Sequence, residues 1–369
     1  MPIRVLVVDD SAFMRRIISE AITAEPDMEV AGQAINGLDA LLKVEQTQPD
    51  VVTLDVEMPE MDGLAALRHL MARYPRPVIM LSSLTQAGAV TTIRALTIGA
   101  VDFVAKPSGS ISLDFHRVRD ELIQKIRTAA RARIHAPIVR PAAVAPPEPA
   151  AAAAPCVPSP RRPAASHGTA AFDSLVAIGT STGGPRALST VVPGLVDDGR
   201  TAYLIVQHMP AGFTRSLAER LDSTSSLHVR EAEQGDHLVA GTVLVAPGDF
   251  HLQLSAHGTV QLFQGPRVHG VRPSVDVMLE SVAQHYGARV VCAILTGMGV
   301  DGADGAIAVR AKGGFVIAED EATCVVWGMP RAVAERGAAN RIVPLENVST
   351  AIAEAVASRL SHHTTLQLA

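Results

Sequence analysis

The stretch VAIGTSTGGP, residues 176–185, places Ser181 in a glycine-rich turn directly after an apolar run. An apolar run followed by hydroxyl residues, glycine and proline is typical of a buried strand that leads into a helix. Such a turn can bind a phosphate at the helix N-terminus. It can also present a serine hydroxyl beside backbone N–H groups that stabilise an oxyanion. The local sequence leaves both chemistries open.

Two further residues in the second half of the chain could complete a nucleophilic site. His208 follows the apolar run TAYLIVQ, and Asp301 follows VVCAIL in a glycine-rich stretch. Serine, histidine and aspartate can serve as a nucleophile, a base and a residue that orients the base. Ordinary alternatives exist, because glycine serves tight turns, the chain has 13 histidines, and aspartate often caps a helix.

Other residues in this half of the chain leave further alternatives open. Cys292 and Cys324 could act as nucleophiles, although Cys292 lies within a predicted buried strand. Arg272, in VRPSVD, could contact acidic groups of a substrate or fasten its own loop. Phosphate binding by the serine turn is the weaker alternative, because Pro185 and Arg186 follow it and no dinucleotide-binding or Walker motif is completed.

A second set of polar residues follows the predicted strands of the first half: Asp9, Asp10, Asp55, Ser82 and Lys106. Carboxylates held close together repel one another unless a hard cation joins them, and oxygen ligands of this kind suit Mg²⁺. With Mg²⁺ present, Asp55 could attack a phosphoryl group, while Lys106 and Ser82 contact the phosphoryl oxygens. Each residue alone could be a turn or cap residue, but five in this order favour a phosphorylation site.

The elements that must position these residues alternate between short apolar strands and helical stretches in both halves of the chain. Strict alternation predicts an α/β fold with a parallel sheet and helices on both faces, a doubly wound arrangement. Ligands of such sheets bind at the carboxyl ends of the strands. We therefore expect the polar residues of each half to converge on one edge of its sheet.

The composition divides the chain into two domains. Residues 129–170 are rich in alanine, proline and arginine, which supply no core and oppose a helix. We expect a flexible, partly extended linker there, between a first domain at residues 1–128 and a second at 171–365.

Bulk composition excludes several classes of function. A net charge of −5 and 3% aromatic residues give no sign of a nucleic-acid-binding face. Three unevenly spaced cysteines fit a reducing compartment and no zinc site. Without a signal peptide or an apolar run long enough for a membrane span, we expect a cytoplasmic protein without membrane insertion. We also expect a monomer.

The first half resembles response-regulator receiver domains through VVDDS, TLDVEMPEMDG, MLSS and DFVAKP. The resemblance implies a flavodoxin-like fold and phosphorylation of Asp55 by a histidine kinase. It also implies Mg²⁺ held by Asp10, Asp55 and the backbone carbonyl of Glu57, with Asp9 in support. Ser82 and Phe103 match the positions that rearrange on phosphorylation, and Lys106 matches the lysine beside the phosphoryl group.

The second half resembles the catalytic domain of chemotaxis protein-glutamate methylesterases, the CheB family. The resemblance rests on AIGTSTGGP, QHMPAGFTRSLAERL, VAPGDFH, RPSVDVM, LTGMGVDGADG and CVVWGMPRAV. It implies that Ser181, His208 and Asp301 form a catalytic triad and that the backbone N–H of Met298 contributes to an oxyanion hole. No cofactor is expected in this domain.

Together the two resemblances imply a hydrolase activated by phosphorylation. It would remove glutamate γ-methyl esters from cytoplasmic helices of chemoreceptors, and deamidate glutamines there, for adaptation in chemotaxis. Two other classes stay open: a serine hydrolase or deamidase outside chemotaxis, and a nucleotide-binding output module without catalysis.

Overall fold

A computed structural model describes residues 1–83, 85–106, 114–134 and 172–367. Most of the predicted linker, from residue 135 on, lies outside the described residues, as does Pro107, which follows Lys106. In the described part of the chain, no helix is both long and apolar enough to cross a membrane.

The first half alternates strands and helices as its sequence predicts. Four of its helices begin after a side chain that accepts a backbone N–H of the first turn: Ser11, Asn36, Asp62 and Thr85. The elements are β1 (Ile3–Val8), α1 (Ala12–Thr23), β2 (Met28–Ala34), α2 (Gly37–Thr47), β3 (Val51–Asp55), α3 (Gly63–Arg73), β4 (Val78–Ser82), α4 (Gln86–Ile98), β5 (Asp102–Ala105) and α5 (Asp114–Ala129).

The strands of this half pair in parallel in the order β2-β1-β3-β4-β5. Leu6 and Leu54 lie on the face that packs on α2, α3 and α4, and Val5 and Val7 on the face that packs on α1 and α5. The strand order reverses between β1 and β3, so the ends of these two strands form a crevice. The predicted doubly wound, flavodoxin-like arrangement is confirmed.

The second half has a longer series of elements. They are β6 (Ser174–Thr180), α6 (Gly184–Val191), β7 (Thr201–Gln207), α7 (Phe213–Asp222), β8 (His228–Glu231), β9 (Thr242–Val245), β10 (His251–Leu254), β11 (Val260–Phe263), α8 (Val275–Tyr286), β12 (Val290–Ile294), α9 (Ala303–Ala311), β13 (Phe315–Glu319), α10 (Met329–Glu335), β14 (Arg341–Val343) and α11 (Val348–Gln367). Short 3₁₀ turns lie at Val192–Gly194, Gly287–Arg289 and Leu345–Asn347.

The main sheet of this half is parallel, in the order β14-β13-β12-β6-β7-β9-β8. All residues of β6 and β7 are buried, which explains their continuous apolar sequences. The order reverses beside β6, whose neighbours are β7 and β12. The ends of these three strands therefore meet, and they precede Ser181, His208 and Asp301.

Strands β8 to β11 extend this half beyond the strands named from the sequence. Each is four residues long, and β10 and β11 form a separate antiparallel hairpin. Strands this short carry too few residues for a clear apolar period.

Candidate active site

Ser181 lies in the turn between β6 and α6, and backbone contacts hold this turn in place. The Ser181 N–H donates to the Thr296 carbonyl at 3.1 Å, and the Ser181 carbonyl accepts the Gly184 N–H at 2.8 Å. The Thr180 hydroxyl also donates to Thr296, at 2.9 Å. The serine turn and the loop after β12 are therefore fastened to each other.

Two glycines are needed because these loops approach so closely. Gly183 has a positive φ of 79°, and a Cβ there would lie 2.7 Å from Cβ of Val325. A Cβ on Gly297 would lie 2.7 Å from Cβ of Ser181. The glycine-rich sequence thus serves a tight turn, and that turn puts the serine against the loop that leads to Asp301.

His208 and Asp301 are in direct contact. His208 Nε2 and Asp301 Oδ2 are 2.7 Å apart, and the two side chains are 8% and 3% exposed. The His208 N–H donates to the Thr180 carbonyl at 3.1 Å, which holds the base beside the residue that precedes Ser181. The edge rule applied to the sequence therefore predicted that His208 and Asp301 lie together, at the edge that also carries Ser181.

Asp301 is bound from several directions. Besides His208, its carboxylate accepts the Ser274 hydroxyl at 2.7 Å, the Val275 N–H at 2.7 Å and the Asp276 N–H at 3.1 Å. Burial alone would raise the pKa of Asp301, but these hydrogen bonds and His208 hold it below its usual range. The carboxylate therefore stays ionised at neutral pH.

Gln207 and Thr296 support the site, although neither stood out in the sequence. Gln207 Nε2 donates to the carbonyls of Ser181 at 2.9 Å and His208 at 3.1 Å. The Thr296 hydroxyl donates to the Thr182 carbonyl at 3.0 Å and accepts the Val326 N–H at 3.0 Å. Gln207 is the last residue of the buried strand β7, and a polar residue at that position could have indicated a role at the site.

Arg272 and the two cysteines, also considered as functional residues from the sequence, have structural roles or are buried. Arg272 binds Asp249 Oδ1 through Nη2 at 2.6 Å and the Gly265 carbonyl through Nη1 at 2.7 Å, so it fastens its own loop. Burial raises the pKa of the Cys292 and Cys324 thiols well above their usual range, which makes them poor nucleophiles.

In the first half, the buried Asp9 and Asp55 and the half-buried Lys106 form a cluster at the switch point of the sheet. Lys106 Nζ lies 2.9 Å from Asp9 Oδ2 and 2.7 Å from Asp55 Oδ2. Asp10 is exposed, and oxygens of all three aspartates lie within 4.8 Å of one another. Burial raises the pKa of Asp55 to about 6, although Lys106 opposes this. A set of close carboxylate oxygens that includes an exposed member fits a hard divalent cation.

Ser82 lies beside this cluster, since its carbonyl accepts the Lys106 N–H, and Phe103 lies near the start of β5. The Ser82 hydroxyl is buried and lies 3.3 Å from the carbonyls of Ser83 and Gly88 at the start of α4. The Phe103 ring is 3% exposed. Glu57 lies two residues after Asp55, and its backbone acts to lower the pKa of the Asp55 carboxyl.

The two halves contact each other next to the serine turn. The Phe103 and Phe213 rings have centroids 4.4 Å apart. Thr182 directly follows Ser181, and its hydroxyl donates to Asp102 Oδ2 at 2.6 Å. The sequence resemblance implies that the backbone of Met298 contributes to an oxyanion hole. Met298 is 44% exposed, and its Sδ lies 3.0 Å from the Thr128 hydroxyl.

A further contact joins the segment after α5 to the second half. The Arg133 N–H donates to the Val325 carbonyl at 3.1 Å, and its guanidinium binds Glu321 Oε1 at 2.7 Å. Val325, from the second half, lies in a hydrophobic cluster with core residues of the first half. The halves thus share apolar and polar contacts around the edge that carries Ser181.

Comparison with known proteins agrees with both halves. The sequence-family model of the response regulator receiver domain matches residues 5–114, and that of the CheB methylesterase matches residues 176–352. The crystal structure of the Thermotoga maritima CheB methylesterase catalytic domain is 48% identical in sequence. The match covers 49% of this chain and 97% of the Thermotoga maritima chain, with a TM-score of 0.48.

Full-length relatives extend this similarity across the chain. A protein-glutamate methylesterase/protein-glutamine glutaminase from Symbiobacterium thermophilum is 54% identical over 357 residues, 96% of this chain and 97% of that protein. The protein of the same name from Pyrococcus horikoshii is 45% identical over 96% of this chain and 94% of its own length. The chain therefore belongs to the CheB methylesterase family, with a response regulator receiver domain preceding the methylesterase domain.

Proposed function

We propose that this protein hydrolyses glutamate γ-methyl esters, and deamidates glutamines, on the cytoplasmic helices of chemoreceptors during adaptation in chemotaxis. The observation that carries the proposal is the 2.7 Å contact between His208 and Asp301 at the strand edge that also bears Ser181. The names of the full-length relatives supply the substrate class.

In the proposed mechanism Ser181 is the nucleophile and His208 the base. Because His208 Nε2 is hydrogen-bonded to Asp301, Nδ1 is the nitrogen that takes the Ser181 proton. Asp301 holds the imidazole in this tautomer and stabilises the imidazolium that forms. The serine oxygen bonds to the carbonyl carbon of the ester or amide. When the oxyanion collapses, the departing methoxy or amino group takes the proton from His208 and leaves as methanol or ammonia. Water then attacks the acyl-serine and releases glutamate.

The backbone N–H of Met298 is the proposed oxyanion donor. This role is supported by the close approach of the loop that carries Met298 to the serine turn, since Gly297 leaves no space for a Cβ beside Ser181. Donors fixed by the backbone need no reorganisation when charge develops on the substrate oxygen.

The receiver domain is proposed to take a phosphoryl group on Asp55 from a histidine kinase. Asp10, Asp55 and the Glu57 carbonyl would hold Mg²⁺, with Asp9 in support. The cation, when bound, would offset the negative charge of the phosphoryl group. Lys106, which already contacts Asp55, would bind a phosphoryl oxygen.

Phosphorylation is proposed to relieve a block of the active site by the receiver domain. The contact of Asp102 with Thr182 supports this, because Thr182 directly follows Ser181, and the Phe103 and Phe213 rings extend the interface. Ser82 would turn toward the phosphoryl group and Phe103 would move with it. This would weaken the interface and shift the population toward an open form.

We propose the domain limits 1–128 and 171–365 and a flexible linker at 129–170, in a monomer that acts in the cytoplasm. A flexible linker of this length would keep the domains near each other while letting them separate.

Replacing Ser181 tests the proposed chemistry. Ser181→Ala should lower methanol release from methylated receptor membranes by about 10⁴-fold, and His208→Ala should cost a similar amount, because the residues act as a unit. Ser189→Ala, on the neighbouring helix α6, is the control and should keep wild-type activity. Turnover by Ser181→Ala within about tenfold of wild type would show that Ser181 is not the nucleophile.

Replacing Asp55 tests the phosphorylation site. Wild-type protein should be labelled by a small-molecule phosphodonor only with Mg²⁺ present, and Asp55→Asn should block labelling because amide nitrogen and oxygen are poor nucleophiles. Asp50→Asn, just before β3, is the matched control and should be labelled normally. Equal labelling of Asp55→Asn would place the phosphorylated residue elsewhere.

Removing the receiver domain tests the proposed block. A shortened protein that begins at residue 170 should hydrolyse receptor methyl esters about tenfold faster than the unphosphorylated full-length protein, if the interface contributes ~1.4 kcal/mol. A phosphodonor should accelerate the full-length protein and leave the shortened protein unchanged. If the shortened protein were no faster, the receiver domain would act by activation or recruitment instead.

A further inference from the structure

Asp301 occupies the N-terminus of helix α8 as well as contacting His208. Its Oδ1 accepts the Ser274 hydroxyl and the Asp276 N–H, and its Oδ2 accepts the Val275 N–H together with His208 Nε2. Ser274 is the N-cap residue of α8, so Asp301 binds N–H groups that the helix itself leaves unpaired. One carboxylate therefore serves the base and anchors a helix.

Asp276, in the first turn of α8, makes the reverse contact with helix α9. Its Oδ1 accepts the Gly305 N–H at 2.7 Å, and its Oδ2 lies 3.1 Å from His269 Nε2. Helix α9 begins after Gly302, which supplies no side-chain cap. Asp276 thus caps α9, and Asp301, which directly precedes Gly302, caps α8. The N-terminus of α9 is thus capped by a carboxylate in the first turn of α8, and the N-terminus of α8 by a carboxylate just before α9.

This reciprocal cap also explains how two buried carboxylates can lie so close together. Asp276 and Asp301 are 3% and 2% exposed, and their oxygens lie within 4.8 Å of each other. The positive ends of two helix dipoles and the N–H donors of both first turns offset their mutual repulsion. Loss of either carboxylate would leave buried N–H groups without an acceptor.

We propose that Asp276 is a positioning residue for the Asp301–His208 pair. By holding the Gly305 N–H it fixes the start of α9, and with it the orientation of the Asp301 carboxylate, two residues before α9 begins. Without this contact, Asp301 can turn away from His208, which leaves the imidazole without a fixed tautomer. The inference rests on the proposed function for its kinetic test, but the contact itself can be observed without substrate.

The kinetic test compares two substitutions with different hydrogen-bonding capacity. Asp276→Ala removes the acceptor for Gly305, whereas Asp276→Asn keeps it. With a helical peptide that carries a glutamate γ-methyl ester, Asp276→Ala should lower kcat by about 100-fold with KM changed less than about twofold, since small displacements of catalytic groups have effects of this size. Asp276→Asn should keep kcat within about threefold of wild type, by the same reasoning.

A double-substitution cycle tests whether Asp276 acts through Asp301. In an Asp301→Ala background, Asp276→Ala should cause no further loss of kcat, because the pair it positions is already broken. The matched control is Asp304→Ala, since Asp304 lies in the same turn of α9 but is exposed and pairs with Arg336; it should keep wild-type kcat. Losses that multiply in the double variant would overturn the proposal.

A substrate-free measurement separates this inference from the proposed function. The proton between His208 and Asp301 should give a downfield NMR resonance, assigned by its absence in His208→Ala. This resonance should persist in Asp276→Asn and disappear in Asp276→Ala. If Asp276→Ala does not fold, as judged by circular dichroism, Asp276→Ser provides the comparison because its side chain is too short to reach Gly305. A folded variant that lacks the acceptor but keeps the resonance and kcat would refute the inference, while an inactive wild type would refute only the proposed function.

Discussion

The buried carboxylate of Asp301 is the group on which the arrangement of the second half depends. An ionised carboxylate without partners costs several kcal/mol in a protein interior, so this one must collect donors. Its donors come from His208 after β7 and from the start of α8, while Asp301 itself lies two residues before α9. One charged group therefore ties together a strand end and two helices beside the serine turn.

A comparable constraint organises the first half. Asp9 and Asp55 end neighbouring strands at the point where the strand order reverses, and Lys106 lies between them. Asp102 and Phe103, at the start of β5, contact the second half at Thr182 and Phe213. The strand β5 therefore contacts the second half at its start and leads at its end to Lys106 of the acidic cluster.

Much of this arrangement follows from the sequence, because parallel strands bring their carboxyl ends to one edge. That rule predicted that Ser181, His208 and Asp301 follow neighbouring strand ends, and the structure brings the His208 and Asp301 side chains into contact. It could not predict the reciprocal caps of α8 and α9, because Asp276 and Gly305 pair through packing of two helices rather than through a local pattern. The hairpin of β10 and β11 and the role of Arg272 in fastening its loop likewise depend on contacts between distant segments.

The central claim is that the hydroxyl oxygen of Ser181, activated by the His208–Asp301 pair, attacks the substrate. The most direct measurement is acid quenching of a single turnover with a glutamate γ-methyl ester peptide, followed by peptide mapping by mass spectrometry. The account predicts an acyl adduct of the peptide on Ser181 that forms and decays at rates compatible with turnover. Turnover with full release of methanol but no adduct at any quench time, or an adduct on another residue, would contradict it.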